Sequence, residues 1–299
     1  MPRTHDRQSF FKYASCASAE CILNNGTFKC PPPTQFNDPF DHYVKYQISC
    51  SKEEIANLLY QKIVQIVTSA MSPQLDTSKR MATQIMAHWH GFQNGQLNLE
   101  HLNQLKVATN NFSNLVDDFV SQMNEIYIDA IRQSRVFCVS ENNYNVVMWS
   151  HYGDEHRGVA FELRCADELD DNLIAAKQIT YCKDFPLFFS PLEIASHLIG
   201  ENPLNLTKMA FELQYYKHSD WSYEKEWRVC IPWIDNEGEE TIYLKKDPSI
   251  FKAIYLGCRI KPDEKEKIIG ICSEKYPHME IYESKLSDTS FNLEFSLLR

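Results

Sequence analysis

Tyr223-Glu224-Lys225-Glu226-Trp227-Arg228, continuing through Val229, Cys230 and Ile231, is the stretch on which the reading of this chain turns. It reads as a strand, and on a strand side chains two positions apart share a face. Glu224 and Glu226 then point one way, and Tyr223, Lys225 and Trp227 the other. Like charges held side by side push one carboxylate toward a raised pKa. Such a pair suits either a solvated acidic edge or a site where a carboxylate meets developing positive charge.

Around this stretch, positions 136 to 299 switch to period two. They predict short strands at 136–140, 158–163, 176–181, 227–233, 241–243, 253–256 and 279–283. Helices are expected at 204–216 and from Lys261-Pro262-Asp263 to about Lys275. Upstream, a strand at 10–13 precedes a helix starting near Ser18 and stopping at Asn24-Asn25-Gly26, then a strand at 27–30 running into Pro31-Pro32-Pro33. Between these zones, 51–135 is helical. Ser51-Lys52-Glu53-Glu54 has the form of a capping box, and apolar stripes follow at Ile55, Leu58, Leu59, Ile63, Ile66 and Val67, at 79–89, and at 112–131. The expected fold is therefore α+β and mostly antiparallel: one domain, 1–299, with a helical insertion at 51–135.

The 299 residues carry a net charge of −10, which opposes nonspecific adhesion to nucleic acid or anionic membrane. Ten cysteines are scattered without C-x-x-C pairs or zinc spacing, as expected of reduced thiols in a cytoplasmic protein. His88, Trp89 and His90 stand together, but two histidines are too few ligands to argue for a metal. No apolar run approaches membrane-spanning length, and 1–9 lacks the core of a signal peptide.

Four segments combine polar and aromatic residues in ways a core does not need: Phe11-Lys12-Tyr13-Ala14-Ser15; Phe36-Asn37-Asp38-Pro39-Phe40-Asp41; Ser140-Glu141-Asn142-Asn143 followed by Met148-Trp149-Ser150-His151-Tyr152-Gly153; and Trp221 to Arg228. Their order resembles a bacterial family of unknown function, number 2971. That family carries blocks like FKYASCASAECILNNGTFKCPPPTQFNDPFD, VFCVSENNYNVVMWSHYGDEHRGVAFEL, WSYEKEWRV and AIYLGCRI. More distantly, a first strand ending in Tyr-x-Ser, a central strand ending in serine and a late E-x-E resemble the ADP-ribosyltransferase superfamily.

That second resemblance implies a core of two packed, mostly antiparallel sheets holding NAD in a cleft. Glu226 would be the catalytic acid as the second residue of E-x-E, and Ser140 would take the hydroxyl position. Lys12 or Tyr13 stands where a His or Arg is usual. Cleaving the nicotinamide–ribose bond passes through an oxocarbenium-like state, which a carboxylate in a dry cleft stabilises. Glu226 takes that task, and Glu224 would orient or deprotonate the acceptor. Tyr13 with Phe36 or Trp149 would stack nicotinamide or adenine, while Lys12, Ser15, Asn37 and Arg228 would bind ribose or pyrophosphate oxygens. Arg228 fits equally a salt bridge to Glu162 or a neighbour, and Asp38 fits an Asx-turn cap better than a catalytic task. His151, beside Tyr152, either bonds a backbone carbonyl or binds a ribose hydroxyl and shuttles a proton.

Between Lys208 and Arg228 cations alternate with Tyr215, Tyr216, Trp221 and Tyr223. Aromatic faces among positive charges suit a splayed base and its phosphates, which favours RNA or DNA over protein as acceptor. The superfamily resemblance implies a toxin or phage-defence effector, with a neutralising antitoxin partner. Two rivals stand beside it. One is a metal-dependent hydrolase or nuclease using Glu224, Glu226, Asp38 and His151; the other is a non-catalytic nucleotide-sensing or partner-binding module.

Overall fold

A computed structural model describes residues 2–43, 45–48, 50–102, 110–169, 171–232 and 240–299. The chain forms two compact units. The first comprises Met1–Tyr43, Ile131–Lys183 and Gln214–Arg299, and the second comprises Val44–Ala130 and Asp184–Leu213.

The first unit is built on an eight-stranded mixed sheet. Its strands are β1 (Ser9–Ala14), β3 (Ser134–Ser140), β4 (Val159–Arg164), β5 (Lys177–Gln178), β8 (Glu226–Pro232), β10 (Phe251–Leu256), β11 (Glu280–Leu286) and β12 (Leu293–Leu297). They lie in the order β12-β11-β10-β4-β1-β3-β8-β5. Neighbours run antiparallel except β10 and β11, which are parallel and joined through the helix at Pro262–Lys275. Two ribbons complete the strands: β2 (Thr27–Cys30) with β9 (Ile242–Lys245), and β6 (Thr180–Cys182) with β7 (Tyr216–His218). The mostly antiparallel α+β architecture expected from the sequence thus takes the form of one large sheet and two ribbons. The expected strand at 176–181 is divided into β5 and β6, and the one at 227–233 is observed to Pro232, Trp233 lying outside the described residues.

Helix α1 (Cys16–Asn25) starts where Ser15 accepts from the Ser18 amide and stops at Gly26, whose φ of 63° is a conformation glycine adopts without strain. Beneath it the sheet buries Phe10, Phe28, Phe137, Phe161 and Phe251 in one cluster, with Phe28 stacked on Phe251 at 5.6 Å. A smaller cluster gathers Tyr13, Trp149, Ala160, Ala253 and Tyr255. β1 feeds both clusters by alternation: Phe10 and Ala14 join the first, Phe11 and Tyr13 the second. Gly158 lets β4 begin against β1, since a Cβ there would stand 2.2 Å from the Ala14 oxygen.

The second unit is helical among its described residues. α2 (Lys52–Thr68) is capped by Ser51, which accepts from the Glu54 amide, and buries Ile55, Leu59, Ile63 and Val67. α3 (Arg80–Gln93) and α4 (Asn110–Arg132) follow, the latter with Val116, Phe119 and Met123 buried. His88 Nδ1 pairs with the Gln84 oxygen at 2.7 Å and Trp89 donates to the Ser69 oxygen at 2.9 Å, so neighbouring backbone holds both. The stretch at 184–213, which reads as part of the strand-rich zone in sequence, supplies two further helices to this unit, Pro191–Leu198 and Leu206–Leu213. No helix among the described residues is long and apolar enough to cross a membrane.

Candidate functional site

A cavity of about 460 Å³ opens in the first unit, within the size range of small-molecule sites. Three adjacent strands bring its residues together. Phe11 of β1 pairs with Ser140 of β3, and Ser140 pairs with Glu226 of β8. Tyr13, Ser140 and Glu226 therefore reach one hollow from three strand ends.

Glu224 arrives by a different route from the one its spacing suggests. It ends a 3-10 turn at Ser219–Glu224, and Lys225 follows in the left-handed region at φ 47° before β8 begins at Glu226. The two carboxylates are not alternate residues of one strand. They converge because both accept from the Lys217 ammonium, Glu224 Oε2 at 2.6 Å and Glu226 Oε2 at 3.0 Å. Asp41 Oδ2 stands 3.6 Å from the same nitrogen. Opposite charge, rather than repulsion, organises the pair.

Arg228 is the second cation of this cluster and is fully buried. Its Nε and one terminal nitrogen donate to Glu226 at 2.6 and 3.1 Å, and its terminal nitrogens donate to Asp41 at 2.8 and 2.6 Å. Further bonds reach the Gln214 carbonyl at 2.9 Å and His42 Nε2 at 3.1 Å. Burial lowers the His42 pKa to about 4, so its imidazole stays neutral and accepts from the guanidinium. With every donor spent inside, Arg228 has none for ribose or pyrophosphate. The salt bridge that the sequence reading set beside that role is made to Glu226 and Asp41; Glu162 pairs with Lys252 instead.

The electrostatics separate the two acids. For Glu226, burial opposes ionisation, but the Arg228 and Lys217 charges outweigh it and hold the pKa below the ordinary carboxylate range. For Glu224, burial and the neighbouring Glu226 charge raise the pKa to about 7, despite the Lys217 and Tyr152 bonds. Tyr152 donates to Glu224 Oε1 at 2.6 Å, and burial holds its own pKa far above normal, so the phenol stays protonated. Lys217 keeps its proton because Glu226, Glu224 and Asp41 overcome the burial penalty. Ser140 Oγ donates to the Glu224 main-chain oxygen at 2.7 Å, and the Glu226 amide donates to Tyr181 Oη at 2.8 Å.

Of the residues singled out from sequence, Lys12, Tyr13, Phe36, Asn37, Ser140, His151, Tyr152, Glu224 and Glu226 line the cavity. Several are partly engaged. Lys12 donates to the Cys138 oxygen at 2.8 Å, Tyr13 to the Asn142 oxygen at 2.9 Å, and His151 Nδ1 pairs with Tyr223 Oη at 2.9 Å. Four do not line it. Ser15 caps α1, and Asp38 accepts from the Phe40 amide at 2.9 Å as an Asx turn. Trp149 is buried and donates to the Asn143 oxygen at 2.6 Å, which removes it as a stacking surface and leaves Phe36. Arg228 lies behind the floor. Asp41 and Lys217 also line the cavity: the sequence singles out the turn that carries Asp41 but gives that residue no role, and it places Lys217 among the cations suited to a nucleic-acid acceptor.

The rival metal-dependent reading fits less well. Where Asp41, Glu224 and Glu226 converge, the Lys217 ammonium already stands. Among the described residues no group of three His, Cys, Asp or Glu side chains is arranged to hold a metal ion.

The profile of a family described as "Protein of unknown function (DUF2971)" matches residues 148–229. The chain is therefore similar to that family from Met148, on the cavity wall, through both carboxylates to Val229 of β8. The N-terminal block at 11–41 and the block at 253–260 lie outside the match. No curated protein and no solved structure matches the chain.

Proposed function

We propose that the protein is an ADP-ribosyltransferase, moving ADP-ribose from NAD to a macromolecular acceptor through a core like that of the ADP-ribosyltransferase superfamily. One observation carries this reading: Tyr13, Ser140 and the acidic pair meet in one cavity from the adjacent strands β1, β3 and β8 and the turn before β8. Phe36 and Tyr13 offer aromatic surface to the nicotinamide ring. Glu226, kept anionic by two cations, faces the ribose carbon as positive charge develops there. The C1′–N bond breaks with its electrons leaving on neutral nicotinamide, and an acceptor oxygen or nitrogen bonds to C1′. Its proton passes to Glu224, whose pKa near 7 suits a general base.

A nucleic-acid acceptor is supported by the rings beside His151 at the cavity wall. His151, Trp221 and Tyr223 have centroids 5.8 to 6.4 Å apart, a surface of the kind on which unstacked bases rest. An enzyme of this kind would act as a toxin or phage-defence effector in the cytoplasm, restrained by an antitoxin partner.

Incubation with labelled NAD and separate RNA, DNA and protein pools tests the proposal. Label is expected on a nucleic-acid pool with wild type and on none with Glu226→Gln. NAD cleavage without transfer would make the protein a hydrolase of NAD. NAD left intact by the wild type would end the proposal, and an EDTA-sensitive nuclease activity in its place would restore the metal-dependent rival.

A further inference from the structure

Glu226 is held from behind as well as from the side. Arg228 lies two residues along the same strand, so both side chains leave β8 on one face and the guanidinium can fork onto the carboxylate. A guanidinium free to rotate about its long side chain would not fix that fork. Its other edge is closed by Asp41, 187 positions away, through two parallel bonds of 2.8 and 2.6 Å. Planar bidentate pairing on both edges leaves Arg228 one orientation. The Gln214 carbonyl and neutral His42 share the one N–H that remains. Asp41 also lies 3.6 Å from the Lys217 ammonium, so a single carboxylate steadies both cations that touch Glu226.

Solvent does not maintain this arrangement, because Asp41, Glu226, Lys217 and Arg228 are all buried. Removing the Asp41 charge would leave Arg228 shared unevenly and free the Glu226 carboxylate to turn. We infer that Asp41 is a positioning residue, which through Arg228 sets the direction in which the Glu226 carboxylate faces the cavity. This rests on the assignment of Glu226 to the ribosyl centre made above. That assignment gives Asp41 no substrate contact; it acts through the guanidinium of Arg228 and, at 3.6 Å, the ammonium of Lys217. The turn at 36–41 thereby joins the site at two levels: Phe36, Asn37 and Asp41 line the cavity, and Asp41 alone also reaches Arg228 behind it.

The test compares wild type with Asp41→Asn, which keeps the shape and removes the charge, and with Arg228→Lys, which keeps the buried charge and removes the fork. Steady-state NAD cleavage is measured alongside the titration of Glu226, followed by carboxyl carbon-13 resonances assigned with Glu226→Gln. Both variants are expected to lower kcat about 100-fold, as a misplaced catalytic group does, with KM within about twofold of wild type. The Glu226 midpoint is expected to rise toward an ordinary carboxylate value in Arg228→Lys, which loses the fork, and to move further down in Asp41→Asn, which removes a like charge from the shared cations. Reduced thermal stability with an unmoved midpoint and unchanged kcat would make Asp41 purely structural and overturn the inference. Where Asp41→Asn does not fold, Arg228→Lys decides by the same criteria. Absence of NAD cleavage in wild type would remove the transferase reading, while the Glu226 midpoint would still decide whether Asp41 governs that carboxylate.

Discussion

Ser140 Oγ donates to the main-chain oxygen of Glu224 at 2.7 Å, while Ser140 itself sits opposite Glu226 in the pairing of β3 with β8. One small hydroxyl thus registers both acids. It does so through the backbone of the first and the strand position of the second.

Ser140→Ala is accordingly expected to destabilise the protein by about 1–2 kcal/mol, because a buried carbonyl loses its donor. NAD turnover should fall together with this loss, as the 3-10 turn carrying Glu224 loosens. Urea unfolding and initial-rate measurements on the same preparations check both. A fully active, equally stable variant would show that the turn is held by other contacts.

The acids should separate on substitution. Glu226→Gln is expected to lower NAD cleavage by about 100- to 1000-fold, the scale of a lost electrostatic stabiliser. Glu224→Gln should retain NAD cleavage by water more than transfer to the acceptor, since the role proposed for it concerns the acceptor's proton. Parallel assays of nicotinamide release and of acceptor labelling distinguish the two. Equal loss of both activities in both variants would refute this division.

Stability should vary with pH through Glu224. Its folded pKa of about 7 exceeds the unfolded value, so the native state holds a proton that the unfolded chain has released. Between about pH 4.5 and 7 this carboxylate makes the protein less stable as pH rises, by about 3 kcal/mol in all. Glu226, with its pKa depressed, works oppositely: its contribution is present above the ordinary carboxylate range and is lost as acid protonates it. Buried His42 works against this over about pH 4 to 6.5 in both proteins, so the expected signature is the difference: relative to Glu224→Gln, the wild-type denaturant midpoint should fall from pH 4.5 to 7. An identical slope in variant and wild type would contradict the assignment.

Lys217→Met should be severe at neutral pH, costing about 3–5 kcal/mol, because Glu224, Glu226 and Asp41 would lose their shared ammonium in a buried site. The deficit is expected to shrink at pH 5, where Glu224 is neutral in the native state. Thermal melts at the two pH values read the difference. A constant deficit would indicate lost packing over Trp221, whose ring lies 4.9 Å from the ammonium, in place of lost charge.

Much of the strand and helix order could be read from periodicity, and the meeting of the first strand, Ser140 and the acidic pair was implied only by the resemblance to the ADP-ribosyltransferase superfamily. The geometry of Glu224 did not, because alternation assumes an unbroken strand and no periodicity reveals a single left-handed residue such as Lys225. Asp41 and Lys217 escaped for a related reason. Charged side chains are mostly exposed, and burial becomes affordable only when distant partners arrive together. The helix at Pro191–Leu198 was legible yet passed over: Ser190 and Glu193 form a reciprocal capping box like the one sought at Ser51. β12 gave little signal, being a five-residue edge strand after a polar loop.

The order in which the chain visits its two units bears on how it can be dissected. It departs from the first unit after Tyr43 and after Lys183, and resumes it at Ile131 and Gln214. Asp41 and Gln214, which clasp Arg228, and Lys217, which bridges the acids, all stand within four residues of such a crossing. Excising either excursion and splicing the ends would therefore re-tie the backbone at the anchors of the charged floor. An inactive deletion would then report a loosened fastening before it reported anything about the missing helices.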